Sequence, residues 1–93
     1  MSERVVTVST EAGLHARPAD VFVETAKGFD ADVRISRMDS DDIVAADSMI
    51  SVTSLGVRDG EQVRLVAEGA DADAALDALE DVLTTPEAEL GEA

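Results

Sequence analysis

A single histidine, His15, stands in the segment Gly13-Leu14-His15-Ala16-Arg17-Pro18, where its neighbours suggest covalent chemistry. Proline is tolerated in a helix only in the first turn, where its missing N–H would have been unpaired anyway, so Pro18 predicts a helix start at about Ala16. His15 is then the expected cap. An imidazole at that place lies beside free backbone N–H groups and the positive end of the helix dipole, with the Arg17 guanidinium two residues on. If it attacks a phosphorus centre, the backbone at Ala16 and the backbone and side chain of Arg17 can receive the incoming oxygens. A helix terminus stabilises an anion by about 0.3 to 1 kcal/mol, and by about 2 when partly buried, so such a site favours the modified form without trapping it. The positive surroundings oppose an imidazolium, and His15 is expected to be neutral at pH 7, although the net charge of −14 pulls the other way. The plain alternative is a polar cap with no chemistry.

Other constellations are weaker. With one His and no Cys, no usual zinc site, thiol chemistry or disulfide is available, and no serine is placed as part of a hydrolytic triad. No metal or other cofactor is expected. Asp39, Asp41 and Asp42 resemble part of a calcium loop but lack its glycine and terminal glutamate, so a solvated hairpin tip is the better reading. Ser48 has two readings. It can cap a short helix, or accept a phosphoryl group, whose roughly two negative charges a helix start would tolerate.

The elements that must position these residues follow from periodicity. Arg4 to Ser9 alternate, with Val6 and Val8 on one side, as in a strand. Ala19, Phe22, Val23 and Ala26 recur at helical spacing between Ala16 and Lys27, and Gly28 marks the stop. Ala31, Val33 and Ile35 alternate in a second strand, and Ile43 to Ala46 can return as a short third. A short helix is expected between Ser48 and Leu55, ahead of Gly56. After the Asp59-Gly60 turn, Val63, Leu65 and Ala67 form a fourth strand. Ala72, Ala75, Leu76, Leu79, Val82 and Leu83 make the stripe of a last helix, with Asp71 and Asp73 at its positive end and Pro86 beyond it. The order is βαββαβα, which predicts two layers with helices covering one sheet face. The first helix must cross between two parallel strands, leaving a gap for the fourth strand between them. One domain over residues 1–85 and a flexible acidic tail over 86–93 are expected.

Seven basic residues face 21 acidic ones. That balance argues against nucleic acid or anionic membranes as partners. Lys27 is the only lysine, and the aspartates are dispersed through every segment instead of collected in one block. Such a surface suits high salt, where screening within about 3 Å at 1 M removes its self-repulsion. No apolar run approaches the roughly 18 residues of a membrane span, and the N-terminus lacks a basic segment followed by an apolar one, so a cytoplasmic protein without membrane insertion is expected.

Three segments carry a resemblance. GLHARPADVFVETAKGFDADV (13–33), DSMISVTSLGVRDGEQV (47–63) and GADADAALDALEDVL (69–83) together closely resemble the HPr family, the histidine-containing phosphocarriers of the bacterial-type sugar phosphotransferase system. The resemblance implies an α+β open-faced β-sandwich, with an antiparallel sheet of order 1-4-2-3 and three helices on one face. It implies a carrier and not an enzyme, phosphorylated by enzyme I on His15 Nδ1, with Arg17 assisting transfer to an enzyme IIA domain. Docking is expected through Met49, Ala16 and Ala19, and a monomer is expected. Ser48 occupies the place of the serine that HPr kinase phosphorylates in Gram-positive bacteria. This chain departs from the family in Ser51 and Thr53, where Gly and Met are usual, in Asp20, where a small neutral residue is common, and in a hairpin at 39–42 about two residues longer. A carrier for a dihydroxyacetone kinase or a nitrogen-type branch, and a purely regulatory interaction protein, are the alternatives.

Overall fold

The computed structural model describes residues 1–10, 13, 14, 16–38 and 40–85, with the side chain of Ala16 left out. His15 and Asp39 therefore lie outside the described residues, as do Glu11, Ala12 and the expected tail 86–93. Seven elements follow in the order β1 (Ser2–Thr7), α1 (Ala16–Lys27), β2 (Asp32–Arg37), β3 (Ile43–Ala45), α2 (Met49–Ser54), β4 (Gln62–Glu68) and α3 (Ala72–Thr84). The sheet order is β1-β4-β2-β3, with every neighbouring pair antiparallel. β4 thus fills the gap between β1 and β2, as the crossover of α1 requires.

Strand alternation sends Val6, Val33, Ile35, Val63, Leu65 and Ala67 into one core, where they meet both helical stripes. Phe22, Leu76, Leu79 and Leu83 are fully or almost fully enclosed there. The opposite sheet face carries Glu3, Asp32, Arg34, Gln62 and Arg64, all exposed to water.

Two local expectations change. β1 begins two residues earlier than its sequence pattern, because its ladder is set by β4, from Ser2 opposite Ala67 to Thr7 opposite Gln62. Val8 still bonds the residues just before β4, donating to the Glu61 carbonyl at 2.8 Å and accepting from the Gly60 N–H at 2.7 Å, but outside the regular ladder. α1 does end at Lys27, yet Gly28 is not left-handed: its N–H closes on the Thr25 carbonyl at 3.1 Å and that of Phe29 on Ala26 at 3.3 Å. Asp71 stands at the start of α3, as expected, and makes no side-chain cap there. Its carboxylate instead accepts the N–H groups of Asp30 at 2.9 Å and Ala31 at 2.8 Å, tying the start of α3 to the turn before β2.

Arg4 joins β1 to α3, with Nη1 at 2.6 Å from Asp77 and 2.9 Å from Glu80. Seven basic residues can offset only part of the 21 acidic ones. Transfer from molar salt to dilute buffer should lower the thermal unfolding midpoint by about 10 °C, corresponding to a loss of roughly 2 kcal/mol in a domain of this size. A midpoint independent of salt, measured by circular dichroism, would remove the high-salt reading of the surface.

Candidate functional site

The chain before position 15 is bound at each described step. Thr10 is fully buried, and its Oγ1 donates to the Gly13 carbonyl at 2.7 Å while its own carbonyl accepts from the Gly13 N–H at 2.9 Å. Gly13 has a φ of +72°, which L side chains rarely adopt. The Leu14 N–H donates to the Val57 carbonyl at 2.9 Å, and the Leu14 side chain is buried. On the other flank, α1 begins at Ala16, with Pro18 buried in its first turn. The helix start read from Pro18 is therefore the observed one.

Arg17 is the described side chain at this place with charge to offer an anion. It is half exposed, and its Nη1 lies a long 4.0 Å from Asp20 Oδ2. A contact of that kind contributes little, so the guanidinium can leave it at small cost.

α2 supplies the neighbouring surface, since it packs against α1. Ser48 caps it: Oγ accepts the Ser51 N–H at 3.4 Å, and the Ser48 carbonyl accepts that of Val52 at 2.9 Å. Val52 is buried beneath, whereas Met49 is 38% and Ile50 83% exposed. Ile50 was not singled out from sequence; the inward spacing of Val52 and Leu55 is the signal that turns it outward. Thr53 directs its hydroxyl to the Met49 carbonyl at 2.8 Å, within the helix. Ala19 does not serve the expected docking role. It is fully buried, because it belongs to the α1 stripe that faces the core. The docking expectation for the Ala16 side chain lies outside the described residues.

Arg37 and Glu61 complete the surroundings. Arg37 Nη2 lies 2.8 Å and Nη1 3.2 Å from the two Glu61 oxygens, and Nη1 also donates to the Gly56 carbonyl at 3.0 Å. Glu61 Oε1 accepts the Arg58 N–H at 2.8 Å. That backbone donor, followed by Arg37, holds the Glu61 carboxyl below the ordinary glutamate value. A lowered folded pKa means stability that is present above the ordinary value of about 4.5 and is lost as pH falls through the folded value. Glu61→Gln should therefore show a smaller fall of the unfolding midpoint than wild type between pH about 5 and about 3. Identical acid limbs would show that the carboxylate contributes nothing.

Residues 2–85 match the family model for the PTS HPr component phosphorylation site. This chain belongs to the HPr family. It is 69% identical over 86 residues to the phosphocarrier protein HPr of Haloferax volcanii, covering 92% of this chain and 97% of that one, a source in keeping with the acidic surface. It is 44% identical over 73 residues to the multiphosphoryl transfer protein of Vibrio cholerae, covering 77% of this chain but only 18% of that one. The crystal structure of HPr-C-His from Thermoanaerobacter tengcongensis superposes with a TM-score of 0.84 at 38% identity, covering 100% and 99% of the two chains. The α+β open-faced sandwich expected from the resemblance is thus the fold found, and the HPr family is one of phosphocarriers.

Proposed function

We propose that this HPr-family chain accepts a phosphoryl group from phosphorylated enzyme I on His15 and passes it to an enzyme IIA domain in sugar uptake. The observation that carries the proposal is the bound backbone before position 15 and the start of α1 directly after it, with the half-exposed Arg17 guanidinium two residues on. The lone pair of His15 Nδ1 attacks phosphorus as the bond to the donor breaks, leaving the donor with its electron pair; the reverse sequence delivers the group to the next acceptor. Backbone N–H groups at Ala16 and Arg17 and the Arg17 side chain receive the phosphoryl oxygens. The carrier acts as a cytoplasmic monomer, and Met49 and Ile50 on α2 offer the apolar contact to both partners. Ser48, at the start of that surface, is the proposed regulatory position for an HPr kinase.

Incubation with the host's enzyme I and phosphoenolpyruvate, followed by intact mass, should show one acid-labile phosphoryl group. No gain in mass would leave the regulatory interaction protein as the better reading. Uptake of the group with onward transfer only to a dihydroxyacetone kinase or a nitrogen-type acceptor would reassign the branch.

Arg17→Ala should slow transfer about ten- to a hundred-fold without changing the residue modified, because a guanidinium beside the oxygens stabilises charge but is not the nucleophile. Stopped-flow transfer at wild-type rate would remove Arg17 from the site.

A further inference from the structure

The segment from Gly56 to Glu61 joins α2 to β4, and its Val57 carbonyl is the acceptor that holds Leu14, one residue before His15. The segment is clasped on both sides of Val57. Before it, the Gly56 carbonyl accepts from Arg37 Nη1 at 3.0 Å; after it, the Arg58 N–H donates to Glu61 Oε1 at 2.8 Å. The two clasps are one unit, since Arg37 and Glu61 form a two-pronged ion pair with side chains 24% and 36% exposed. Its base is firm. Arg37 is the last residue of β2, in register with Val63 of β4, and the Glu61 carbonyl accepts the N–H of Val8, the residue just after β1.

We propose that Arg37 and Glu61 are positioning residues for phosphoryl transfer at His15, acting through the Val57 carbonyl and the Leu14 N–H. The proposal rests on the phosphocarrier reading. Neither side chain touches the phosphoryl group. The pair fixes where the Val57 carbonyl stands, that carbonyl fixes Leu14, and Leu14 sets the chain entering position 15. A displacement of about 1 Å from a productive geometry can cost on the order of a hundred-fold in rate, so a strut remote from the reacting atoms can matter. A pair that only stabilised the fold would leave transfer by the folded protein unchanged.

Glu61→Ala and Arg37→Met, with Glu61→Gln as the conservative partner and Arg37→Lys as a milder disruption, are compared with wild type in molar salt at a temperature where circular dichroism shows each protein folded. One readout is hydrogen exchange at the Leu14 amide; the other is steady-state transfer from phosphorylated enzyme I over a range of carrier concentrations. In Glu61→Ala and Arg37→Met, Leu14 should exchange roughly ten-fold faster and kcat should fall about ten-fold, while KM, set by the α2 surface, changes less than about two-fold. Glu61→Gln keeps an acceptor for the Arg58 N–H and should recover most of both. Wild-type exchange at Leu14, or wild-type kcat, in the folded truncation variants would overturn the proposal. If Glu61→Ala does not fold, Arg37→Lys carries the same comparison, because it keeps the charge and loses the fork. If the wild-type protein takes no phosphoryl group, the phosphocarrier reading fails, and Leu14 exchange still decides whether the pair holds the loop.

Discussion

His15→Ala should abolish phosphate acceptance, with at least about a thousand-fold loss of label from enzyme I and phosphoenolpyruvate, while the protein stays folded. The loss should be this complete because no second imidazole and no thiol is present to take its place. The single lysine, Lys27, ends the 12-residue α1, about 18 Å along the helix from its start. The fold should survive because His15 belongs to neither of the apolar stripes that the sequence spacing defines. Removing a helix cap costs about 0.5 to 2 kcal/mol, well below the 5 to 15 kcal/mol of a typical domain. Intact mass after incubation and the thermal midpoint by circular dichroism separate the two halves. Full labelling of the variant would move the acceptor to another residue.

Gly13→Ala should be the most damaging single-methyl change near the site. A Cβ on Gly13 would stand 2.5 Å from the Val57 carbonyl oxygen and 2.8 Å from Arg58 Cα, both backbone atoms, at a φ of +72°. Left-handed strain contributes about 1 kcal/mol and the forced backbone shift about 2 more, which in a domain of this size lowers the unfolding midpoint by roughly 12 to 24 °C. The shift must also carry Leu14 away from Val57, so transfer by the folded fraction should slow by about ten-fold or more. Gly56→Ala is the matched control. Its φ is +67°, but nothing lies within 4 Å of the added Cβ, so it should show the conformational cost alone. Equal midpoints for the two variants would show that the close approach to Val57 is not what requires glycine at position 13.

Local chemistry made the candidate site's address legible. Pro18 can stand only in a first turn, and α1 does begin at Ala16; Ser48 has a cap's side chain, and it caps α2. Alternation in β1, β2 and β4 and the stripes of α1 and α3 likewise name the core, because each depends on residues two to four positions apart. Relations between distant segments were settled only in three dimensions. Ala19 has the size of a docking residue, but its place on the inward stripe buries it. Asp71 has the type of a helix cap, but two backbone N–H groups of the turn before β2 reach its carboxylate instead. The start of β1 moved because β4, far along the chain, sets the ladder. Arg37 and Glu61 carry no local sign of partnership, being 24 residues apart, and sheet pairing of β2 with β4 is what brings them together. Side-chain type and short spacing were therefore enough to name the elements, the core and the candidate acceptor. What holds the chain ahead of that acceptor came from the folded molecule, since the Gly13 and Leu14 N–H groups bond to backbone carbonyls, a pairing no side chain records.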